Sequence, residues 1–328
     1  MHIQNSLTEN FSGNYNQNFQ VVSTSIPSRN GLDQIKLVSA RNSADISKSF
    51  IDQIADCYRD VFAHGAPVDP SSWGEYARCP GCGKGMSFEQ VTDLQHYRIV
   101  TELEAIRPLP LPPCPHCGQQ TELFYQHADL ATEISHHFRQ RDLYSAFALD
   151  GNNQVRGFSY AWIDSIEAVW NDKISHSYLG SSLDWNEFSR QLQTNSGGRL
   201  RPDTKVLYYA EIGLMLEARS MHAVFGLQSA MLNAVVQRHG RHAVQDLPMM
   251  STATPQANSY AIFVAAGGKP VCEVPDNPLA TLSEPFLAFL DKMSVGPDEY
   301  FRRFRGNMKE VLRARRRQAQ NGGQILAA

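Results

Sequence analysis

The stretch KVLYYAEIGLML (205–216) is a long apolar run rich in Val, Leu, Ile and Tyr, which is typical of a strand buried in a sheet. After a loop that we expect to end at Gly226, GLQSAMLNAVVQRHG (226–240) predicts a helix that Gly240 ends. The apolar residues of one face of this helix are Leu227, Ala230, Met231, Ala234 and Val235. The sequence therefore predicts a strand, a loop and a helix in succession.

Strands and helices alternate on both sides of this unit. Asp-Gly-Asn-Asn within 143–164 predicts a hairpin between two β-rich runs. The other predicted strands are 34–39, 246–254 and 269–274, and the other predicted helices are 45–63, 128–140, 165–175, 184–194 and 255–268. This order predicts an α/β protein with a mixed central sheet and flanking helices.

Composition excludes several classes of protein. The 328 residues are 42% hydrophobic and 19% charged, as in ordinary globular proteins, and the net charge of −3 does not favour polyanion binding by the whole molecule. No apolar run is long enough for membrane insertion. Residues 1–31 are polar and lack the features of a signal peptide, so we expect a flexible leader and a cytoplasmic location.

Two cysteine pairs stand out in CPGCG (79–83) and CPHCG (114–118). Cys79, Cys82, Cys114 and Cys117 supply the four thiolates that a tetrahedral structural zinc prefers. Disulfides and a thioredoxin-like redox pair are the alternatives, but a reducing cytosol and two matched turns favour zinc. The surrounding Pro- and Gly-rich residues 66–125 are therefore predicted to form a small inserted zinc ribbon.

Residues 276–328 are expected to be a helical, basic C-terminal tail. Its segment YFRRFRGNMKEVLRARRRQ (300–318) carries eight Arg or Lys residues and one Glu. One interpretation is contact with nucleic acid or with a protein. The other is an amphipathic helix that packs its apolar side on the core.

Three segments resemble the GNAT N-acetyltransferase superfamily. They are VRGFSYAWI (155–163), EIGLMLEARSMHAVFGLQSAMLNAVV (211–236) and STATPQANSYAIFVAAGGKPV (251–271). The resemblance covers 32–65 and 126–275, and it implies an acyltransferase core that uses acetyl-CoA or another acyl-CoA. Where the family loop has Arg/Gln-x-x-Gly-x-Gly/Ala, this chain has AVFGLQ (223–228).

The resemblance also implies where coenzyme A binds. A loop that ends at Gly226 and opens a helix offers unpaired N–H groups to a pyrophosphate, with Gln228 and Ser229 in the first turn. The backbone at Leu214 and Leu216 is positioned to pair with pantetheine amides. Asn258, in the third segment, completes the implied cofactor-binding set.

Glu211 is the candidate general base, because it lies in the strand beside the expected cofactor groove, where burial would raise its pKa. The alternative is a carboxylate that only orients a loop. Tyr260 is the candidate acid for the leaving thiolate, with a buried core tyrosine as the alternative. These residues predict direct acyl transfer from a thioester to an amine-bearing acceptor.

A second hypothesis keeps the same motifs without catalysis. In it the chain is a nucleic-acid or protein binding module, in which the zinc ribbon and the Arg-rich tail make the contacts and the GNAT-like core is degenerate. Salt-dependent nucleic-acid binding through the tail separates this hypothesis from the acyltransferase.

Overall fold

A computed structural model gives the fold of the protein. It describes residues 19–26, 35–40, 46–62, 76–81, 85–87, 113–114, 117–123, 126–139, 143–174, 185–240, 247–253, 269–274 and 286–292, with single residues 243, 307 and 313. None of the helices within these ranges is long and apolar enough to cross a membrane.

A mixed sheet forms the centre of the fold. Its eight strands lie in the order β1-β2-β6-β7-β8-β9-β11-β10. They are β1 (Phe19–Ile26), β2 (Ile35–Ala40), β6 (Leu143–Leu149), β7 (Val155–Ser165), β8 (Lys205–Leu214), β9 (Pro248–Ala253), β10 (Lys269–Val274) and β11 (Phe286–Lys292). Neighbouring strands are antiparallel except β8 and β9, which are parallel. The predicted α/β class with a mixed sheet is confirmed.

Helices cover both faces of the sheet. They are α1 (Lys48–Phe62), α2 (His127–Phe138), α3 (Ile166–Val169, continued by a π-helical turn, Trp170–Ile174), α4 (Trp185–Asn195) and α5 (Met221–His239). The first four share one hydrophobic core with one sheet face, whereas α5 packs against the opposite face. Alternate side chains of β6 enter the two cores, so this strand is buried on both faces.

The predicted insert contains a second, smaller sheet. Its three strands are β3 (Tyr76–Arg78), β4 (Gly85–Ser87) and β5 (Glu122–Leu123), in the order β4-β3-β5. All of its pairings are antiparallel. The cysteine turns lie next to these strands in the chain.

Two predicted segments differ in the structure. Within the predicted leader, Phe19–Ile26 forms β1 and pairs with β2, and the ring of Phe19 lies 4.9 Å from that of Phe50. Within the predicted helical tail, Phe286–Lys292 forms β11, between β9 and β10. In both segments the backbone N–H and C=O groups form hydrogen bonds with strands from other parts of the sequence, and the local sequence pattern does not reveal such pairing. Asn307 and Arg313 are helical, and the rest of the basic segment 300–318 lies outside the described residues.

Helix α5 begins five residues before the position that the sequence suggested. Ser220 is its N-cap, and the Ser220 hydroxyl accepts a hydrogen bond of 3.1 Å from the Ala223 N–H. Gly226 therefore lies inside the helix, not at the end of a loop. A glycine in a helix costs only about 1 kcal/mol relative to alanine, and the buried Ala223 and Leu227 offset this by packing on the sheet.

Candidate active site

Strands β8 and β9 separate in the middle of the sheet. They pair at Leu207, Tyr208 and Tyr209, opposite Met249, Met250 and Ser251. Beyond this point β8 continues to Leu214 along β7, whereas β9 continues along β11. Within the described ranges, no strand pairs with the β9-facing edge of 210–214. This edge is a place where an extended ligand can add its own hydrogen bonds.

A β-bulge lies where the two strands part. Tyr160 on β7 faces Glu211, whereas the next residue, Ala161, faces Tyr209, so Ala210 is the extra residue. Side chains two apart in a regular strand point to the same face, but the bulge changes this. Tyr209 packs under α5, while the Glu211 side chain reaches Tyr58 of α1 on the opposite face.

Three helical segments supply the groups around Glu211. The ammonium of Lys173, in the π-helical turn, lies 3.2 Å from Glu211 Oε1 and 2.6 Å from Glu133 Oε1 of α2. The Tyr58 hydroxyl donates to Glu211 Oε1 over 3.4 Å. The side chains of Glu211 and Lys173 are 14% and 11% exposed, so the ion pair is largely removed from water yet reachable from it. We call Glu133, Lys173 and Glu211 the triad.

The two carboxyls of the triad have opposite pKa shifts. Burial raises the pKa of Glu211 above its usual value, against the lowering by Lys173. Lys173 lowers the pKa of Glu133 to about 2. Burial alone would lower the pKa of Lys173, but Glu133 and Glu211 raise it well above the usual value. The ammonium therefore stays charged, and Glu211 is the carboxyl of the triad that binds a proton more readily than an ordinary glutamate.

His137 lies in α2, one helical turn after Glu133, and it is buried. Its ring packs against Trp162 and Tyr160, with ring centroids 5.1 Å and 5.9 Å away. Burial, and after it the Lys173 charge, lowers the pKa of His137 to about 3, so the imidazole is neutral at physiological pH. Neither His137 Nδ1 nor Trp162 Nε1 has a hydrogen-bond partner among the described residues.

The expected cofactor residues at the end of β8 differ in accessibility. Leu214 is buried, and its carbonyl accepts a hydrogen bond of 3.0 Å from Arg219. Leu216 begins a 3-10 turn, Leu216–Ala218, before α5, and its side chain is 45% exposed. This exposed apolar side chain lies between the free edge of β8 and the N-terminus of α5.

The structure corrects the expected role of Gln228. Its side chain is 1% exposed and hydrogen bonds to Tyr209 beneath α5, so it is not a loop residue open to a phosphate. The Tyr209 hydroxyl also lies 2.7 Å from Ser159 Oγ. Ser229, like Gly226, is partly buried within α5. The expected loop of unpaired N–H groups at Gly226 is wrong, because that segment is already helical.

Asn258 and Tyr260 lie outside the described residues, as does Cys82. The roles expected for Asn258 and Tyr260 stay predictions.

Three of the four predicted metal ligands come together. The sulfurs of Cys79, Cys114 and Cys117 lie within 4.8 Å of one another, and Cys79 Sγ is 3.3 Å from Cys117 Sγ, too far for a disulfide bond. Backbone bonds from Gly118 N–H to Cys114 O (2.8 Å) and from Cys114 N–H to Gln119 O (2.7 Å) close the second turn. The first turn abuts the second, since a Cβ on Gly81 would lie 1.9 Å from Gln119 Oε1. This thiol set fits a tetrahedral zinc.

Sequence reasoning found Glu211 but missed its partners. Glu133 and His137 are four residues apart, a spacing that places both on one face of the predicted helix 128–140. That spacing was the available signal. No sequence signal marked Lys173, because a lysine in a short polar segment is usually solvated. Tyr58 lies within the predicted helix 45–63 among apolar residues, and nothing in that pattern indicated a role for its hydroxyl.

No protein-family model matches the sequence, and no curated protein matches it. Solved structures that align with it include arylalkylamine N-acetyltransferase 2 from Aedes aegypti, which is 12% identical over 79% of this chain and 99% of that chain, with a TM-score of 0.43. A histone acetyltransferase HPA2 and related acetyltransferase from Corynebacterium glutamicum is 15% identical over 75% and 93%, with a TM-score of 0.34. The CoA-dependent acyl-homoserine lactone synthase MesI is 13% identical over 65% and 86%, with a TM-score of 0.29. At these identities and TM-scores, the likenesses assign no activity or substrate to this chain.

Proposed function

We propose that this protein is an acyl-CoA-dependent N-acyltransferase, which transfers an acetyl or longer acyl group directly to an amine. The observation that carries the proposal is the separation of β8 from β9 with a carboxylate that is largely removed from water, Glu211, at the point of separation. The GNAT-like segments of the sequence support it.

The free edge of β8 is the proposed binding surface for the acyl thioester. Amide groups of a pantetheine arm are donors and acceptors that can pair with the β9-facing edge of 210–214, which no strand within the described ranges covers. The exposed side chain of Leu216 offers an apolar contact at the end of this edge. The N-terminus of α5 follows within five residues and favours negative charge. A phosphate-bearing thioester fits this succession of features.

Glu211 is the proposed general base. The amine nitrogen attacks the thioester carbonyl carbon, the C–S bond breaks, and the thiolate leaves. The proton released from the amine passes to the Glu211 carboxylate, directly or through water. Burial raises the pKa of this carboxyl, which makes its ionised form a better proton acceptor than an exposed glutamate. Tyr260 stays the proposed proton donor to the thiolate.

Binding and turnover test the proposal separately. Calorimetric titration with acetyl-CoA and with octanoyl-CoA should show saturable binding, and thiol release in the presence of amines should report transfer. Glu211→Gln should lower kcat by about 10²–10⁴-fold while thioester affinity stays unchanged. The exposed Glu167→Gln is the matched control and should keep the wild-type rate. No binding of either thioester at millimolar concentration would overturn the proposal.

We also propose that Cys79, Cys82, Cys114 and Cys117 hold one structural zinc. The three described sulfurs converge, and Gly81, which precedes Cys82 in the sequence, abuts the second cysteine turn. Zinc here would hold the two turns together, and it has no part in the acyl transfer. Elemental analysis of freshly reduced protein should give one zinc per chain, and less than half an equivalent would contradict this.

A further inference from the structure

We propose that Lys173 is a positioning residue, which holds the Glu211 carboxylate ionised and aimed at the free edge of β8, and that Glu133 holds Lys173 in place. This inference rests on the acyltransferase proposed above. It assigns to the π-helical turn and to α2 a task in proton transfer.

The geometry of Lys173 supports this role. One ammonium lies between two carboxylate oxygens, at 2.6 Å from Glu133 and 3.2 Å from Glu211. The shorter contact is to Glu133, which is half exposed, whereas Glu211 is nearly buried. Lys173 is therefore fixed from the solvent side and reaches inward to the base. A π-helical turn is an uncommon local structure that is found often at functional sites.

The charge balance explains why the lysine is needed. Without it, two carboxylates would share a poorly hydrated region, and one of them would take up a proton. Glu211 is the more buried of the two, so it would be the one that becomes neutral and stops accepting protons. Lys173 prevents this, because its charge favours the ionised form of both partners.

Other titratable groups on α1, α2, β7 and β8 also act on the triad. Tyr58 of α1 donates to Glu211, and Tyr160 of β7 and Tyr208 of β8 face Lys173. On α2, His136 and His137 act on Glu133. Burial raises the pKa of Tyr160 well above its usual value, and His137 is neutral, so neither replaces the charge of Lys173 near pH 7.

Two substitutions should move the acid limb of the kcat/KM–pH profile in opposite directions. Lys173→Met keeps most of the aliphatic stem and removes the charge, so the limb should shift upward by about 1–3 pH units. Glu133→Gln removes a negative neighbour of Glu211 but keeps an amide oxygen that can accept a hydrogen bond from the Lys173 ammonium. Lys173 then stays in place, so the limb should shift downward. The matched control is Lys205→Met, which removes an exposed lysine paired with Asp164 and should leave the limb in place.

If Lys173 and Glu133 had a purely structural role, both variants would melt at a lower temperature and the acid limb would stay in place in both. That result overturns the inference. If Lys173→Met does not fold, the downward shift in Glu133→Gln decides the question alone. An unshifted or upward-shifted limb in that variant is then the contradicting result.

Infrared spectroscopy separates this inference from the acyltransferase proposal. Difference spectra against Glu211→Gln at pH 7 report the protonated carboxyl stretch of Glu211 without any substrate. The stretch should be stronger in Lys173→Met than in wild type. If the stretch is stronger in Lys173→Met and no thioester reacts, then Lys173 holds Glu211 ionised and the proposed acyltransferase activity is wrong. If transfer occurs but neither the stretch nor the limb changes, the role of Lys173 is wrong and the activity stands.

Discussion

Replacing His137 by phenylalanine should flatten the loss of stability that the protein undergoes in weak acid. The side chain is 2% exposed, and its pKa falls from 6.5 to about 3 on folding. Between these values the unfolded chain binds a proton that the folded chain does not. The free energy of unfolding therefore falls as pH decreases below 6.5, and above 6.5 the residue contributes nothing to the slope.

The size of the effect follows from one proton. Each pH unit in this window changes the free energy of unfolding by about 1.4 kcal/mol. Between pH 6.0 and pH 4.5 the wild type should lose about 2 kcal/mol more than His137→Phe. Glu133, whose pKa falls from 4.5 to about 2 on folding, begins to change the free energy of unfolding only at the lower end of this window. Glu211 titrates alike in both proteins, so its contribution cancels in the difference.

Phenylalanine suits this site because His137 Nδ1 has no hydrogen-bond partner among the described residues, while its ring packs on Trp162. Urea unfolding followed by tryptophan fluorescence, in steps of half a pH unit, gives the free energy of unfolding as a function of pH for the wild type and for His137→Phe. The control Phe138→Leu should lower the curve at every pH by about 1 kcal/mol and keep the wild-type slope. Parallel curves for wild type and His137→Phe would refute the reasoning.

Four further substitutions test the fold and the corrected residues. Phe19→Ala should lower the free energy of unfolding by about 2 kcal/mol, because its ring packs on Phe50; no change in chemical denaturation would remove β1 from the fold. Gly213→Ala should cost about 1–3 kcal/mol in the same assay, since a Cβ would lie 2.7 Å from the Phe158 ring, whereas wild-type stability would contradict this close packing. Gln228→Ala should lower the free energy of unfolding by about 1–2 kcal/mol and leave the acyl-CoA affinity measured by calorimetry unchanged. Lost affinity with unchanged stability would restore the cofactor-binding role expected for Gln228. Cys114→Ser should release the zinc, as measured by elemental analysis, and it should increase hydrogen exchange in 66–125 more than it changes the rate of acyl transfer. Full retention of the zinc would contradict this.

Much of the central sheet could be predicted from local pattern. The hairpin around Asp150 appears as β6 and β7, and the helix predicted at 45–63 is α1, Lys48–Phe62. Apolar residues at helical spacing in this segment, including Phe50, Ile54 and Cys57, are buried. Alternation and 3.6-residue periodicity record which side chains leave water, and these patterns are complete within one segment.

Segments whose stability depends on distant partners were missed. β11 lies in a region with basic, helical patterning nearby, yet it pairs with β9 and β10. The start of α5 was missed because Gly226 suggested a boundary, whereas the Ser220 cap and the packing of Ala223 extend the helix toward β8. In each case contacts made elsewhere in the fold outweigh a local preference.

The candidate site divides in the same way. The sequence by itself determined that a carboxylate at position 211 lies near the end of a long strand before a helix, and that two cysteine turns can share a metal. Only the tertiary structure decided which face Glu211 occupies, because the bulge at Ala210 depends on its register with Tyr160 on β7. It also decided that Lys173 and Glu133 surround it, since these residues come from segments 38 and 78 residues away in the chain. The physical reason is that a buried charge requires a partner, and the chain can supply that partner from any segment that the packing brings within reach.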